Sequence, residues 1–181
     1  MKMKHVIVIT IFMLFSIALL SSEVLGDEYV ASLNVSFSSN GDILSVGFSS
    51  TDPTTSGIKP ISTINLKSEL GFDSSGKMTI VGKAVFYPYW QIQKNSSLKV
   101  VISRSENLTY LGRILSYTSK LKDSSTELKA TEELDLYTYG TEDYNKLVSG
   151  SVGVTINTSD ASSFPYGASF SGTITLKVIA I

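Results

Sequence analysis

The chain reads as an all-β protein, a single β-sandwich with about nine strands, behind an amino-terminal hydrophobic signal segment. Apolar residues recur at every second position over most of the length, and turn-forming residues interrupt that alternation at short intervals. A barrel is the weaker option.

The signal segment comes first. Lys2 and Lys4 precede an apolar run from Val6 to Leu20, and the small-residue site Val24-Leu25-Gly26 precedes Asp27. The run is shorter than the roughly 20 residues a spanning helix needs, which favours a cleaved leader over a retained anchor. Residues 1–26 are thus expected to be a signal peptide and residues 27–181 one exported domain, placing the protein outside the cell. The chain has no cysteine, so such a domain must rest on core packing alone.

Within 27–181, Tyr29, Ala31, Leu33, Val35 and Phe37 alternate with polar residues, and Leu44, Val46 and Phe48 do the same. Asn40-Gly41 between them is a hairpin signal, because both residues tolerate positive φ. Pro53 and Gly57 among serines and threonines mark 51–60 as a loop. A strand is expected over Ile64 to Leu70. The next spans Met78 to Tyr87, with apolar residues on both phases, the pattern of a strand buried on two faces in mid-sheet. Leu98, Val100 and Ile102 form another, followed by one from Leu108 to Tyr117 and one from Leu128 to Leu136. A helical turn is expected at Glu142 to Leu147, then a strand from Val148 to Ile156 and a last one from Phe170 to Ala180.

Composition removes several functions. The whole chain holds 15 Lys and Arg against 16 Asp and Glu, and losing Lys2, Lys4 and Glu23 leaves it slightly more acidic. A protein without clustered cations has no electrostatic hold on nucleic acid. The only histidine, His5, lies in the leader, so 27–181 lacks the side chains for a Ser-His-Asp triad, a thiol nucleophile or the usual zinc sites. Glu132, Glu133 and Asp135 are adjacent on one predicted strand and cannot face each other across a cleft as a glycosidase pair must. Glu142-Asp143 lacks the spaced carboxylates of a calcium loop. No enzyme, cofactor or metal is expected.

Four Asn-X-Ser/Thr triplets, at Asn34, Asn95, Asn107 and Asn157, are glycan acceptor candidates in an exported chain; the alternative is ordinary turn and strand asparagines. Tyr87, Tyr89 and Trp90, around Pro88, could stack on sugar rings as a carbohydrate platform, or could close one end of the core. Glu132 breaks the apolar phase between Ala130 and Leu134. Either a bulge or register shift turns it out to solvent, or it is a buried carboxylate beside a lysine, the arrangement that promotes isopeptide cross-links in some surface adhesins.

The first strand, at 28–37, supplies Tyr29, Ala31, Leu33, Val35 and Phe37 as the alternating apolar set a donated strand needs, against the simpler reading of an edge hairpin with Asp42 to Phe48. With its Sec-type leader, this short first strand, the absence of cysteine, the many hydroxyls (27 Ser and 15 Thr within 27–181) and the glycan triplets, the chain resembles the thread-type pilins of archaeal cell surfaces. That resemblance implies filaments held by donor strands passed between subunits. The expected function is a non-enzymatic extracellular structural subunit, pilin-like and self-assembling, with copies of itself as partner and surface glycans as a second one. The alternative is a monomeric carbohydrate-binding or adhesive module.

Overall fold

The computed structural model describes residues 30–38, 43–93, 96–165 and 167–181. The segment 1–26 expected to be a signal peptide, Tyr29, the Asn40-Gly41 pair and Asn95 lie outside them.

The fold is all-β. Eleven strands succeed one another: β1 (Val30–Ser38), β2 (Ile43–Ser49), β3 (Thr63–Phe72), β4 (Met78–Ile92), β5 (Leu98–Arg104), β6 (Asn107–Tyr110), β7 (Arg113–Leu121), β8 (Leu134–Tyr139), β9 (Val148–Ser151), β10 (Val154–Thr158) and β11 (Ser169–Ala180). One helical turn, α1 (Pro53–Ser56), lies in the loop after β2, and a 3-10 turn spans Thr141–Asp143. Asp52 caps α1 by accepting the Thr54 amide at 2.9 Å, with Pro53 at the first position where no amide is needed.

The strands join in the order β1-β3-β4-β10-β7-β6-β11-β5-β8, with β2 and β9 also paired to β4. All pairings are antiparallel except that of β1 with β11, which is parallel, and this last pairing returns the path to its start. Every even-numbered residue of β4 from Ile80 to Ile92 except Gly82 and Ala84 is buried. Phe48, Phe86, Val100, Ile102, Phe170, Ile174 and Leu176 belong to the same core cluster. Alternation with period two is what lets so many strands contribute to one core.

Several expected elements divide or shift. Leu108 to Tyr117 is a hairpin, not one strand: Leu111 (φ 47) and Gly112 (φ 77) make the turn between β6 and β7. Val148 to Ile156 splits into β9 and β10, both against β4. The 128–136 stretch is strand only from Leu134 onward. β4 is in mid-sheet, as two-sided pairing requires, but Val85 on its outer phase is 48% exposed. β1 and β2 do not pair with each other; β2 lies along the last part of β4, from Ser49 opposite Tyr87 to Ile43 opposite Ile92.

Registers fix two ends of the molecule. At the Val30 end lie the turn between β3 and β4, the turn between β6 and β7, and the 159–168 connection, whose Ala161 amide bonds the Ile80 carbonyl. At the Ser38 end lie the start of β2, the end of β4 and the end of β11.

Candidate functional site: the seat of the first strand

β1 occupies a seat between two strands remote in sequence. Along one edge it runs parallel to β11, from Val30 opposite Ser169 to Ser38 opposite Lys177; along the other it is antiparallel to β3, from Ala31 opposite Leu66 to Asn34 opposite Thr63. The apolar phase that singles out Ala31, Leu33, Val35 and Phe37 stands in register with Phe170, Gly172, Ile174 and Leu176 of β11. Phe170, Ile174 and Leu176 are buried, as are Leu66 and Ile64, which face Ala31 and Leu33 in β3. The register that satisfies the backbone therefore also lines up the apolar phases, which is what makes a one-residue slip costly. Only residues 39–42 connect this strand to β2.

The aromatic cluster does not make one open platform. Successive residues of a strand point to opposite faces, so Tyr89 and Trp90 are separated by the sheet. Trp90 is 5% exposed, lies in the core and stacks on Tyr137 of β8 at 6.0 Å between ring centroids. A Cβ on Gly150, opposite Trp90 in β9, would fall 2.4 Å from the indole, so the ring needs glycine there. Tyr89 is 7% exposed although it lies on the outer phase, because the loop after β2 folds over it; hollows of about 230 Å³ lie on either side, one against Pro53, Thr54 and Ile58 and the other against Pro60, Ile61 and Ser62. Tyr87 is half-buried, and Lys122 donates to its hydroxyl at 3.2 Å.

Glu132 is not a buried carboxylate. Thr131 takes a positive φ of 61°, which breaks the strand before β8 and turns Glu132 to solvent, its side chain 64% exposed and 3.5 Å from Lys129. It thus lacks the apolar surroundings an isopeptide-promoting acid needs. Of the glycan candidates, Asn157 is exposed but lies inside β10 rather than after a strand, beside a shallow hollow shared with Asn65, Lys67, Glu69 and Lys83. Asn107 opens β6 half-buried, and Asn34 is a mid-strand position of β1.

Sequence reasoning missed Arg104. It continues the buried phase of Leu98, Val100 and Ile102, and that continuation is the signal that could have found it. Its guanidinium bonds the carbonyls of Leu128 (2.6 Å), Ser105 and Glu106 (3.1 Å each) and lies 4.5 Å over the Tyr117 ring. With backbone oxygens as its bonded acceptors, it ties the junction of β5 and β6 to the 128–130 segment rather than offering a charge to a ligand.

Three further polar groups shape the ends. Tyr137, at the Ser38 side of the core, donates to Asp143 at 2.7 Å; burial, and then the carboxylate beside it, push its phenol up to about 12. Asp160 accepts the amides of Ile80 and Ser162 (2.9 Å each) and the Ser162 hydroxyl (2.7 Å), and these bonds hold its carboxyl below the ordinary value of 3.8. Asp73 caps the turn between β3 and β4 through Ser75 and Lys77, with the same effect.

No protein-family model matches the chain, and no curated protein does. Among the described residues no group of His, Cys, Asp and Glu could hold a metal ion, and no helix is long and apolar enough to cross a membrane.

Proposed function

We propose that this protein is a non-enzymatic structural subunit of the cell exterior, of filament type, whose copies join by exchanging β1. The observation that carries the reading is the seat itself. A nine-residue strand is bonded on both edges by β3 and β11, is not bonded to its sequence neighbour β2, and is tethered by four residues. The same strand from a second copy would make the same bonds in the same register, which is the condition for strand exchange. A two-layer sandwich belongs to this reading. It is supported by the stacking of Trp90 in β4 on Tyr137 in β8, strands far apart in the pairing order.

The exchange has a definite direction. In the seat, Ser38 lies at the same end of the molecule as Ile43, where β2 begins. Five Cα-to-Cα steps span at most about 18 Å, so a donated β1 brings the Ser38 ends of two copies together. The acceptor's own β1 leaves from that same end. Reciprocal exchange into a pair is therefore the elementary step.

Cysteine pairing tests it, since the chain has no cysteine of its own. Asn34 stands opposite Thr63 across the β1–β3 pairing. One population carrying Asn34→Cys and another carrying Thr63→Cys are mixed, incubated and mildly oxidised. A disulfide-linked heterodimer of the two is the expected product. If the mixture stays monomeric while the double variant closes its disulfide within one chain, exchange does not occur and the seat is simply a folded core.

A further inference from the structure

Of the nine large apolar side chains exposed among the described residues, five stand at two turns, and Ile58, Val85, Leu147 and Ile181 stand elsewhere. Leu70, Phe72 and Met78 flank the turn between β3 and β4, and Leu111 and Ile114 flank the turn between β6 and β7; Phe72 is 77% and Leu111 85% exposed. Both turns are at the Val30 end. Phe72 and Met78 face each other across the hairpin in the same phase as Leu66 and Ile80, which are buried, so the core face of β3 and β4 runs past the body of the protein and is left uncovered. An apolar face left uncovered in this way is the kind of surface a partner covers.

We infer that the Val30 end is a second self-association surface, on which two copies meet turn against turn about a two-fold axis. The inference rests on the exchange reading, because exchange at the Ser38 end yields only closed pairs, and a filament needs a contact at the opposite pole. Three features fit a second copy as the occupant. The surface continues the seat, since β3 carries both the residues that pair with β1 (Thr63 to Leu66) and two of the uncovered side chains (Leu70 and Phe72). Charges of both signs border it: Asp73 and Lys77 in one turn, Asp160 in the neighbouring connection and Arg113 beside the other turn, where it bonds the Ser163 carbonyl at 3.2 Å and covers the Phe164 ring at 4.3 Å. A two-fold axis can set each sign against the other. The geometry also alternates two contacts, exchange at one pole and apolar packing at the other, which extends pairs into a line without any further site.

The test uses the full chain, expressed for export with its own processing retained, and follows assembly size with concentration by light scattering and electron microscopy. The native protein is expected to grow beyond pairs. The Phe72→Ser/Leu111→Ser double variant is expected to stop at pairs, its end contact weakened at least about tenfold. Met78→Cys, which keeps the turn and adds the only thiol, should link pair to pair on oxidation, whereas Leu147→Cys should not. Native protein that forms pairs and nothing longer overturns this inference while leaving exchange standing, and so does a double variant that polymerises as well as the native chain. Absence of both pairs and longer assemblies removes exchange and this inference together. If phosphatidylcholine vesicles bind the native chain but not the double variant, and no assembly exceeds pairs, a lipid surface covers this end instead.

Discussion

At the scale of single residues, most of the chemistry here fastens backbone to backbone. Asp160 shows how. Its carboxylate holds the Ile80 and Ser162 amides and so ties the connection before β11 to the hairpin of β3 and β4. Asp160→Ala leaves those donors without it and should lower stability by about 1–2 kcal/mol at neutral pH. Because the folded carboxyl is held below its ordinary value of 3.8, the stabilisation is full above that value and fades as pH falls through the lower folded one. Urea unfolding of native and variant protein should therefore differ at pH 7 and converge in strong acid; a gap that stays constant with pH would show that the carboxylate charge contributes nothing. Residue identity alone revealed part of this level. Glu132 breaks an apolar phase, and the positive φ of Thr131 is the local device that turns it out. Arg104 was harder to see, because a buried cation satisfied by three carbonyls leaves no acidic partner in the sequence to mark it.

At the scale of elements, alternation was legible wherever one strand face meets the core. β1, β2, β5 and β11 stand where the period of two puts them. What alternation could not give was partner choice. Asn40-Gly41 is a local hairpin signal, yet β1 pairs with β11 along its whole length and with β3 from Ala31 to Asn34, and β2 pairs with β4; pairing partners remote in sequence leave no local mark. Likewise Leu111 continued the apolar pattern and hid a turn that Gly112 alone announced. A strand bonded on both edges tolerates proline poorly, since a ladder bond is lost and the ring has no room. Asn34→Pro, at the middle of β1, should cost about 3 kcal/mol or more and abolish exchange as well as lower the thermal midpoint. A variant that melts like the native protein would mean β1 contributes little to the closed pairing path, and the exchange proposal would lose the observation it rests on.

At the scale of the whole molecule, the exchange proposal makes the four-residue link 39–42 the element that would set whether β1 serves its own copy or another. The two positions of the strand make the same bonds, so their difference in free energy lies in the link and in the concentration of copies. A short link is costly to bend back and invites exchange, whereas a long flexible one raises the effective concentration of β1 at its own seat. Deleting Asn40 and Gly41 should therefore move the midpoint of pairing to lower protein concentration than in the native chain, and inserting a short Gly/Ser run after Gly41 should move it to higher concentration. Neither change touches the seat, whose register with β3 and β11 is set by other residues. Light scattering on the three proteins over one concentration series separates the cases: midpoints of pairing that move in opposite directions for deletion and insertion place the switch in the link. Identical midpoints would mean that whatever self-association occurs does not pass through β1, and that the end-to-end order of copies must come from the surfaces of the folded domain alone.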